Sequence, residues 1–446
     1  MNRLIQKCLW RLAALLTGCL MLAGCSGVPS APSSASAEAM AGAPLASVSA
    51  SHLAGGDSSS TTTPGTGSCG GDSAGKGDAD PGAAFGLGQT SREEQEEKLP
   101  QEAEAADRFA PYRAAAAAQL AKMTLEQKAG QLLLVRCPEQ GAEEMIREVQ
   151  PAGLVLFGRD FKGKNADEVR RRLAEYQAAA PIPLLLAVDE EGGQVCRISG
   201  NQGIRAEKFS SPRQVYASGG LDAVRSDGAE KATLLLDLGV NLNLAPVADL
   251  PDTADDYIYP RALGLDPGQT ADFVTAAVEG MQGNGLTACL KHFPGYGPAA
   301  DTHAGAAYDS RPIEDFRSGD FLPFQAGIQA GVRCVLISHN TVAAMDGERP
   351  ASLSPTVHKI LREELGFTGV ILTDDLDMDA VRDYNGGESA VVLAVAAGND
   401  LLTLSDGAAA RDAILAAVKD GRLTQADLDR AAMQVLSLKY AMGILE

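Results

Sequence analysis

Eight short apolar runs punctuate the chain between residues 131 and 405: 131–137, 152–157, 183–189, 241–246, 287–293, 333–339, 369–375 and 400–405. Each is rich in leucine or β-branched residues and is bounded by Gly, Pro, Asn or Asp, the residues that interrupt regular structure. Continuous apolar runs of this length suit strands covered on both faces, as in an all-parallel sheet. Between them lie stretches with helical spacing. Residues 166–179 set Leu and Tyr against Arg and Glu, 269–280 and 355–365 behave alike, and 408–419 and 424–442 read as closing helices. Such alternation fits a doubly wound open sheet or a barrel. The count of eight predicts an α/β fold with a single (β/α)8 TIM-type barrel over residues 106–446.

The chain ahead of this region is of a different kind. Arg3, Lys7 and Arg11 give a positive start, and 12–23 is an apolar run too short and wrongly flanked to span a membrane. It closes on Leu22-Ala23-Gly24-Cys25, which resembles the lipobox of bacterial lipoproteins. Residues 1–24 are therefore expected to be a lipoprotein signal peptide and Cys25 a lipid-bearing N-terminus. An ordinary signal peptide or an uncleaved anchor would equally place the protein outside the cytoplasmic membrane. Residues 25–105 are Ser, Ala, Gly, Thr and Pro with scattered acids and no apolar period. Such a composition buries too little surface to offset its ordering entropy, so a disordered tether is expected, partly helical over its Glu-rich end at 91–106. The membrane is then a partner through the lipid anchor only.

Charge and cysteine usage narrow the picture. With 38 Lys and Arg against 58 Asp and Glu the chain carries a formal charge of -20, which repels phosphate and argues against a nucleic-acid partner. Of the 8 cysteines, Cys8 and Cys19 leave with the signal, Cys25 takes lipid and Cys69 lies in the tether. Cys137, Cys196, Cys289 and Cys334 match no zinc-ribbon spacing and read as buried free thiols.

Polar residues fall at the C-terminal ends of the apolar runs. Asp189 ends the third, Asp249 follows the fourth, Lys291 and His292 close the fifth, His339 the sixth, and Asp374 with Asp375 the seventh. Any one of them could merely cap the next helix. On five different strands of a barrel they would ring one mouth, where catalytic groups gather. Of the 5 histidines, His52 is in the tether and His358 on a helix; His292, His303 and His339 all map to the mouth. An isolated Asp-x-His is usually solvated surface. Here the spacing of Asp301 and His303 lets the carboxylate bind one ring nitrogen and raise the basicity of the other.

An acidic ring with a lysine and histidines, and without a phosphate-cradling glycine loop, points to a sugar or another small polar substrate. Asp374, a short carboxylate at the end of a buried strand, is a candidate nucleophile. His303, polarised by Asp301, can supply the proton donor that a retaining glycosidase also needs. Lys291, His292, Asp189 and Arg261 could hold hydroxyls through charge-assisted hydrogen bonds. No cofactor and no metal are required. Two readings of other classes remain. A metal-dependent hydrolase would use His292, His303, His339 and Asp374, although no His-x-His or His-Glu-x-x-His element is present and Lys291 opposes a cation. A non-catalytic sugar-binding lipoprotein would be expected to lack the nucleophile or the dyad.

These residues carry a resemblance to glycoside hydrolase family 3, and within it to single-domain β-N-acetylglucosaminidases of the NagZ type. Met123-Thr124-Leu125-Glu126-Gln127-Lys128, Val188-Asp189-Glu190-Glu191-Gly192-Gly193, Asn243-Leu244-Ala245-Pro246-Val247, Lys291 to Gly297, Pro350-Ala351-Ser352-Leu353-Ser354 and Thr373-Asp374-Asp375-Leu376-Asp377-Met378 resemble the family's blocks, in order. The resemblance implies Asp374 as nucleophile, Asp301/His303 as acid/base dyad, and Asp189, Arg261, Lys291 and His292 as ligands of a terminal N-acetylglucosamine. The chain departs from the pattern at Tyr296, where the motif has a second histidine, in a loop one residue shorter before Asp301, and in Thr302 within the dyad. Gln194 replaces an arginine, with Arg197 nearby to bind substrate instead. The implied activity is that of a monomeric retaining exo-β-N-acetylglucosaminidase acting on cell-wall or related glycans outside the membrane. A family 3 β-glycosidase of other specificity, or an N-acetylglucosamine phosphorylase, would share the chemistry.

Overall fold

The computed structural model describes residues 107–299, 301–302, 305–382, 384 and 387–446. The expected signal peptide, the tether with Cys25, and His303 lie outside the described residues. Eight strands, β1 (Leu133–Arg136), β2 (Gly153–Leu156), β3 (Leu185–Val188), β4 (Leu242–Asn243), β5 (Thr287–Phe293), β6 (Cys334–Ile337), β7 (Val370–Asp375) and β8 (Leu401–Leu404), pair in parallel and close β8 onto β1. Each lies inside one of the eight apolar runs, so the (β/α)8 barrel is the observed architecture. A short parallel pair, Tyr308–Asp309 with Thr341–Val342, stands apart from it.

The helices obey local rules. Asn165 caps Ala166–Ala179 and exchanges hydrogen bonds with Glu168, and Thr124 with Gln127 does the same for Leu125–Gly130. Pro267–Gly283, Gly407–Lys419 and Gln425–Ala441 contain or closely match the expected stretches. The stretch 355–365 differs. It is helical over Pro355–Lys359 and then widens into a π-type turn, Ile360–Glu364, whose Arg362 reaches the Asp400 carboxylate at 2.6 Å. The long helix Pro212–Leu238 escapes periodicity because it is broken at Gly219 and Gly220.

Alternation along the strands divides the core into two clusters. Leu134, Val155, Leu185, Ala187, Leu242, Cys289, Cys334, Leu336, Val370, Leu372 and Leu401 fill the barrel. Their neighbours Leu133, Val135, Leu154, Leu186, Val188, Leu290, Val335 and Ile371 pack outward against the helices. Cys137, Cys289 and Cys334 are buried free thiols, as expected, while Cys196 is half-buried. Among the described residues no helix is long and apolar enough to cross a membrane.

The helix Gln425–Ala441 closes the end of the barrel where the strands begin. Gln434 bonds the Thr368 carbonyl just before β7, and Arg430 pairs with Asp400 just before β8. Lys439, 0 % exposed, donates to Gln131 Oε1 at 2.7 Å, just before β1. Burial without a carboxylate partner pushes this ammonium down to about 7. An unfolded lysine titrates near about 10.4. Between those values the unfolded chain holds a proton that the folded chain does not, so stability rises with pH through this window. Lys439→Met is therefore expected to raise Tm most at or below about pH 7, and its advantage should shrink steadily towards about pH 9. A Tm difference independent of pH, read by scanning calorimetry, would contradict this.

Candidate active site

The strand parity that fills the barrel also builds the site above it. Two residues beyond an inward apolar residue come Arg136 after Leu134, Phe157 after Val155, Asp189 after Ala187, Lys291 after Cys289 and Asp374 after Leu372. All five line one cavity of about 550 Å³ at the C-terminal end of the strands. A parallel barrel thus turns a polar residue at the end of an apolar run into a residue facing the mouth.

The three consecutive acids after β3 do three different things. Asp189 accepts from Lys291 Nζ at 2.6 Å and faces Arg197 Nη2 at 3.5 Å. Glu190 is turned away and fully buried, where it accepts the backbone N–H groups of Arg197, Ile198 and Ser199 at 2.9, 2.8 and 3.2 Å. That anchors the segment from which Arg197 enters the cavity, its guanidinium 5.4 Å from the Phe157 ring. Glu191, 4 % exposed, accepts from Lys291 at 2.6 Å and from Arg261 in bidentate fashion at 2.8 and 3.0 Å. Burial by itself would push Glu191 upward, but Lys291 and Arg261 outweigh it and hold the carboxyl well below the ordinary range. The converse holds for Lys291: burial lowers it, Asp189 and Glu191 raise it, and the result is above the ordinary lysine value. The chain needs glycine at 192, where φ is +102° and a Cβ would stand 2.2 Å from the Ser210 carbonyl oxygen.

His292 is held in one tautomer. Its Nδ1–H donates to Asp249 Oδ2 at 2.7 Å, and Nε2 accepts from Arg261 Nη2 at 3.2 Å, because a guanidinium can only donate. Asp249 also takes the backbone N–H groups of His292 at 3.2 Å and Tyr296 at 2.8 Å. His292 therefore lines the cavity as a neutral ring with both nitrogens engaged. The peptide bonds Lys291–His292 and Phe293–Pro294 are cis.

Asp374 accepts the Asp375 backbone N–H at 2.9 Å. Burial raises its carboxyl, but His339, that N–H and Lys291 outweigh the burial and bring it below the ordinary aspartate value. His339 stands behind the cavity wall. Its Nε2–H donates to the Asp375 carbonyl at 2.9 Å, and Nδ1 lies 2.7 Å from Ser352 Oγ. Asp375 meets Arg136 at 3.3 Å and is pushed up to about 6, chiefly by burial. Asp301 is half-buried within electrostatic reach of Tyr257, a cavity-lining phenol raised by burial against the pull of Arg261, with Asp301 and Asp374 adding to the rise.

The structure thus brings Asp189, Arg197, Arg261, Lys291, His292 and Asp374 to one cavity. Arg136 and Phe157, at or next to the ends of their apolar runs, also line it, and only strand parity marks them in the sequence. The separate tasks of Glu190 and Glu191 depend on the turn of the chain at Gly192 and carry no local signal. Metal ligation by the histidines fits poorly, since Arg261 occupies the free side of His292 and Ser352 and Asp375 occupy His339. Among the described residues no group of three or more His, Cys, Asp and Glu side chains could hold a metal ion. What the cavity can do is bind a polyhydroxylated ligand among fixed charges and present the Asp374 carboxylate to it.

The chain is similar to known proteins in sequence and in fold. The sequence profile of the glycosyl hydrolase family 3 N terminal domain matches residues 124–438. A beta-hexosaminidase of Stenotrophomonas maltophilia is 38% identical over 260 residues, 56% of this chain and 75% of that protein. One from Xylella fastidiosa is 36% identical over 283 residues, 61% of this chain and 82% of the other. Among solved structures, a family 3 glycosyl hydrolase from Mycobacterium smegmatis superposes with a TM-score of 0.65 at 31% identity, over 72% of this chain and 98% of that one. A family 3 beta-N-acetylglucosaminidase from Paenibacillus superposes with a TM-score of 0.67 at 32% identity; the match covers 72% of this chain and 63% of that larger one. A carboxylate-lined mouth on a (β/α)8 barrel and a profile match over most of the folded region have one joint meaning: the chain belongs to glycosyl hydrolase family 3 and is a glycoside hydrolase.

Proposed function

We propose that the chain is a retaining exo-β-N-acetylglucosaminidase that removes terminal β-N-acetylglucosamine from cell-wall or related glycans. The observation that supports this reading most is the position of Asp374, an anionic carboxylate in the same cavity as a set of charged hydrogen-bonding groups fixed to one another. The names of its relatives favour the N-acetylated sugar. Asp374 attacks the anomeric carbon while His303, oriented by Asp301, gives a proton to the departing glycosidic oxygen. The product of that step is a glycosyl ester on Asp374 and a neutral aglycone alcohol. Water then attacks the same carbon, His303 takes its proton back, and Asp374 leaves as carboxylate, so configuration is retained. Asp189, Arg197, Arg261 and Lys291 fix the sugar hydroxyls, and His292 contributes as a neutral ring.

The same proposal places the enzyme outside the cytoplasmic membrane, as a monomer tethered through Cys25 by residues 25–105. Labelled fatty acid should enter the full chain, and Cys25→Ala should abolish its incorporation. Label retained in that variant would remove the anchor.

Release of nitrophenol from 4-nitrophenyl β-N-acetylglucosaminide, with the β-glucoside and β-xyloside as controls, tests the activity. The N-acetylglucosaminide should be the preferred substrate, and Asp374→Asn should lower kcat at least about a thousandfold. Preference for the glucoside would overturn the substrate. Because Asp374 lies below the ordinary carboxylate value, it stays ionised above about pH 5. The falling limb of kcat/KM at high pH then belongs to His303 and should vanish in His303→Ala; its persistence there would remove the dyad. Glu191→Gln takes a charge from the pair that fixes Lys291 and Arg261. It should lower kcat/KM about a hundredfold, mainly through KM. An unchanged KM would show that these cations do not bind substrate.

A further inference from the structure

The segment that carries Asp301 is held by a side chain the mechanism has not used. Tyr296, 2 % exposed, sits in a small apolar cluster with Val247, Ile258, Ala262, Ala299 and Ala307. Its ring meets His292 edge-on at 5.4 Å and Tyr257 at 5.6 Å. Its hydroxyl is directed at Thr302, 0 % exposed, where the oxygen accepts the Thr302 N–H at 3.1 Å and lies 2.6 Å from Thr302 Oγ1. The Thr302 carbonyl in turn accepts the Ala380 N–H at 3.3 Å, on the segment that follows β7. Every polar atom of Thr302 is thereby engaged.

The other end of this connection is equally fixed. The backbone N–H of Tyr296 donates to Asp249 Oδ1, while Asp249 Oδ2 takes the His292 ring and backbone. One carboxylate therefore positions both the sugar-side histidine and the tyrosine. The tyrosine then reaches forward to the residue between Asp301 and His303. Burial raises the Tyr296 hydroxyl, so it remains a proton donor throughout the working range.

We propose that Tyr296 and Thr302 are positioning residues for acid/base catalysis, a hydroxyl latch that fixes Thr302, the residue between Asp301 and His303 in the chain, against the strand-end loop of β5. The inference rests on the reading of Asp301 and His303 as the proton-transferring pair. A latch of this kind acts only on the two proton transfers, and kcat/KM reads the first of them, protonation of the leaving group. Loss of the Tyr296 hydroxyl should leave sugar binding and attack by Asp374 intact and weaken protonation of a poor leaving group.

The test compares kcat/KM for two substrates in Tyr296→Phe, Thr302→Val, Thr302→Ser and His303→Ala, with binding of free N-acetylglucosamine as the measure of an intact pocket. A 2,4-dinitrophenyl β-N-acetylglucosaminide expels a leaving group that needs no proton, whereas chitobiose expels one that does. Tyr296→Phe and Thr302→Val should lose about ten- to a hundredfold on chitobiose and less than about threefold on the dinitrophenyl substrate. Thr302→Ser, which keeps the hydroxyl, should recover most of the loss, and His303→Ala should show the same selectivity in larger measure. Equal loss on both substrates in Tyr296→Phe, or none on either, overturns the latch while a selective His303→Ala leaves the acid/base pair standing. If His303→Ala is itself unselective, the acid/base reading falls and the latch with it. Should Tyr296→Phe fail to bind N-acetylglucosamine, Thr302→Val decides the same comparison.

Discussion

The site depends on one buried ammonium. Lys291 stands at the end of β5 inside a closed barrel, where an unpaired cation would be costly to desolvate. Two carboxylates, Asp189 and Glu191, reach it at 2.6 Å each, and Glu191 is shared with Arg261. Satisfying Lys291 forces the chain after β3 to turn so that Asp189 and Glu191 face the cavity while Glu190 faces back into the protein. Glu190 then fixes Arg197, and Arg261, pinned by Glu191, fixes the tautomer of His292. The polar groups proposed to hold the sugar are thus positioned mutually before any ligand arrives, which lowers the ordering cost of binding.

Another buried carboxylate organises the chain after β5. Asp249, buried behind His292, holds both the histidine ring and the backbone of Tyr296. The arrangement separates two classes of group. Residues around Lys291 are locked in ion pairs and present fixed charge. Asp374 on β7 stays anionic although it is enclosed, because His339, a backbone N–H and Lys291 offset its desolvation. A carboxylate kept ionised in a confined site suits a nucleophile better than a proton donor, and the proposed donor, His303, follows β5 in the chain.

Much of this was legible in the chain. The eight apolar runs fixed the barrel because a strand buried on both faces has no polar face to interrupt it, and Asp189, Lys291 and Asp374 were visible as polar residues ending such runs. His339 was legible as a strand end but not as a residue behind the wall, since its bonds to Ser352 and to the Asp375 carbonyl join segments distant in sequence. Glu190 and Glu191 look interchangeable in a row of acids; only the backbone turn at Gly192 separates them. Tyr296 read as a departure from a motif, and its hydroxyl gains meaning only from the position of Thr302. The helix Pro212–Leu238 was hidden by its two glycines, which break the period without ending the element.

Everything in this mechanism turns on whether Asp374 forms the bond to the sugar. Incubation with a 5-fluoro-N-acetylglucosaminyl fluoride, which slows breakdown of a glycosyl ester, followed by intact-mass and peptide mass spectrometry, measures this directly. One added glycosyl unit per chain is expected, located on the peptide at Asp374 and absent from Asp374→Asn. Turnover without an adduct and with inverted anomeric configuration, or an adduct mapped to another residue, would contradict it.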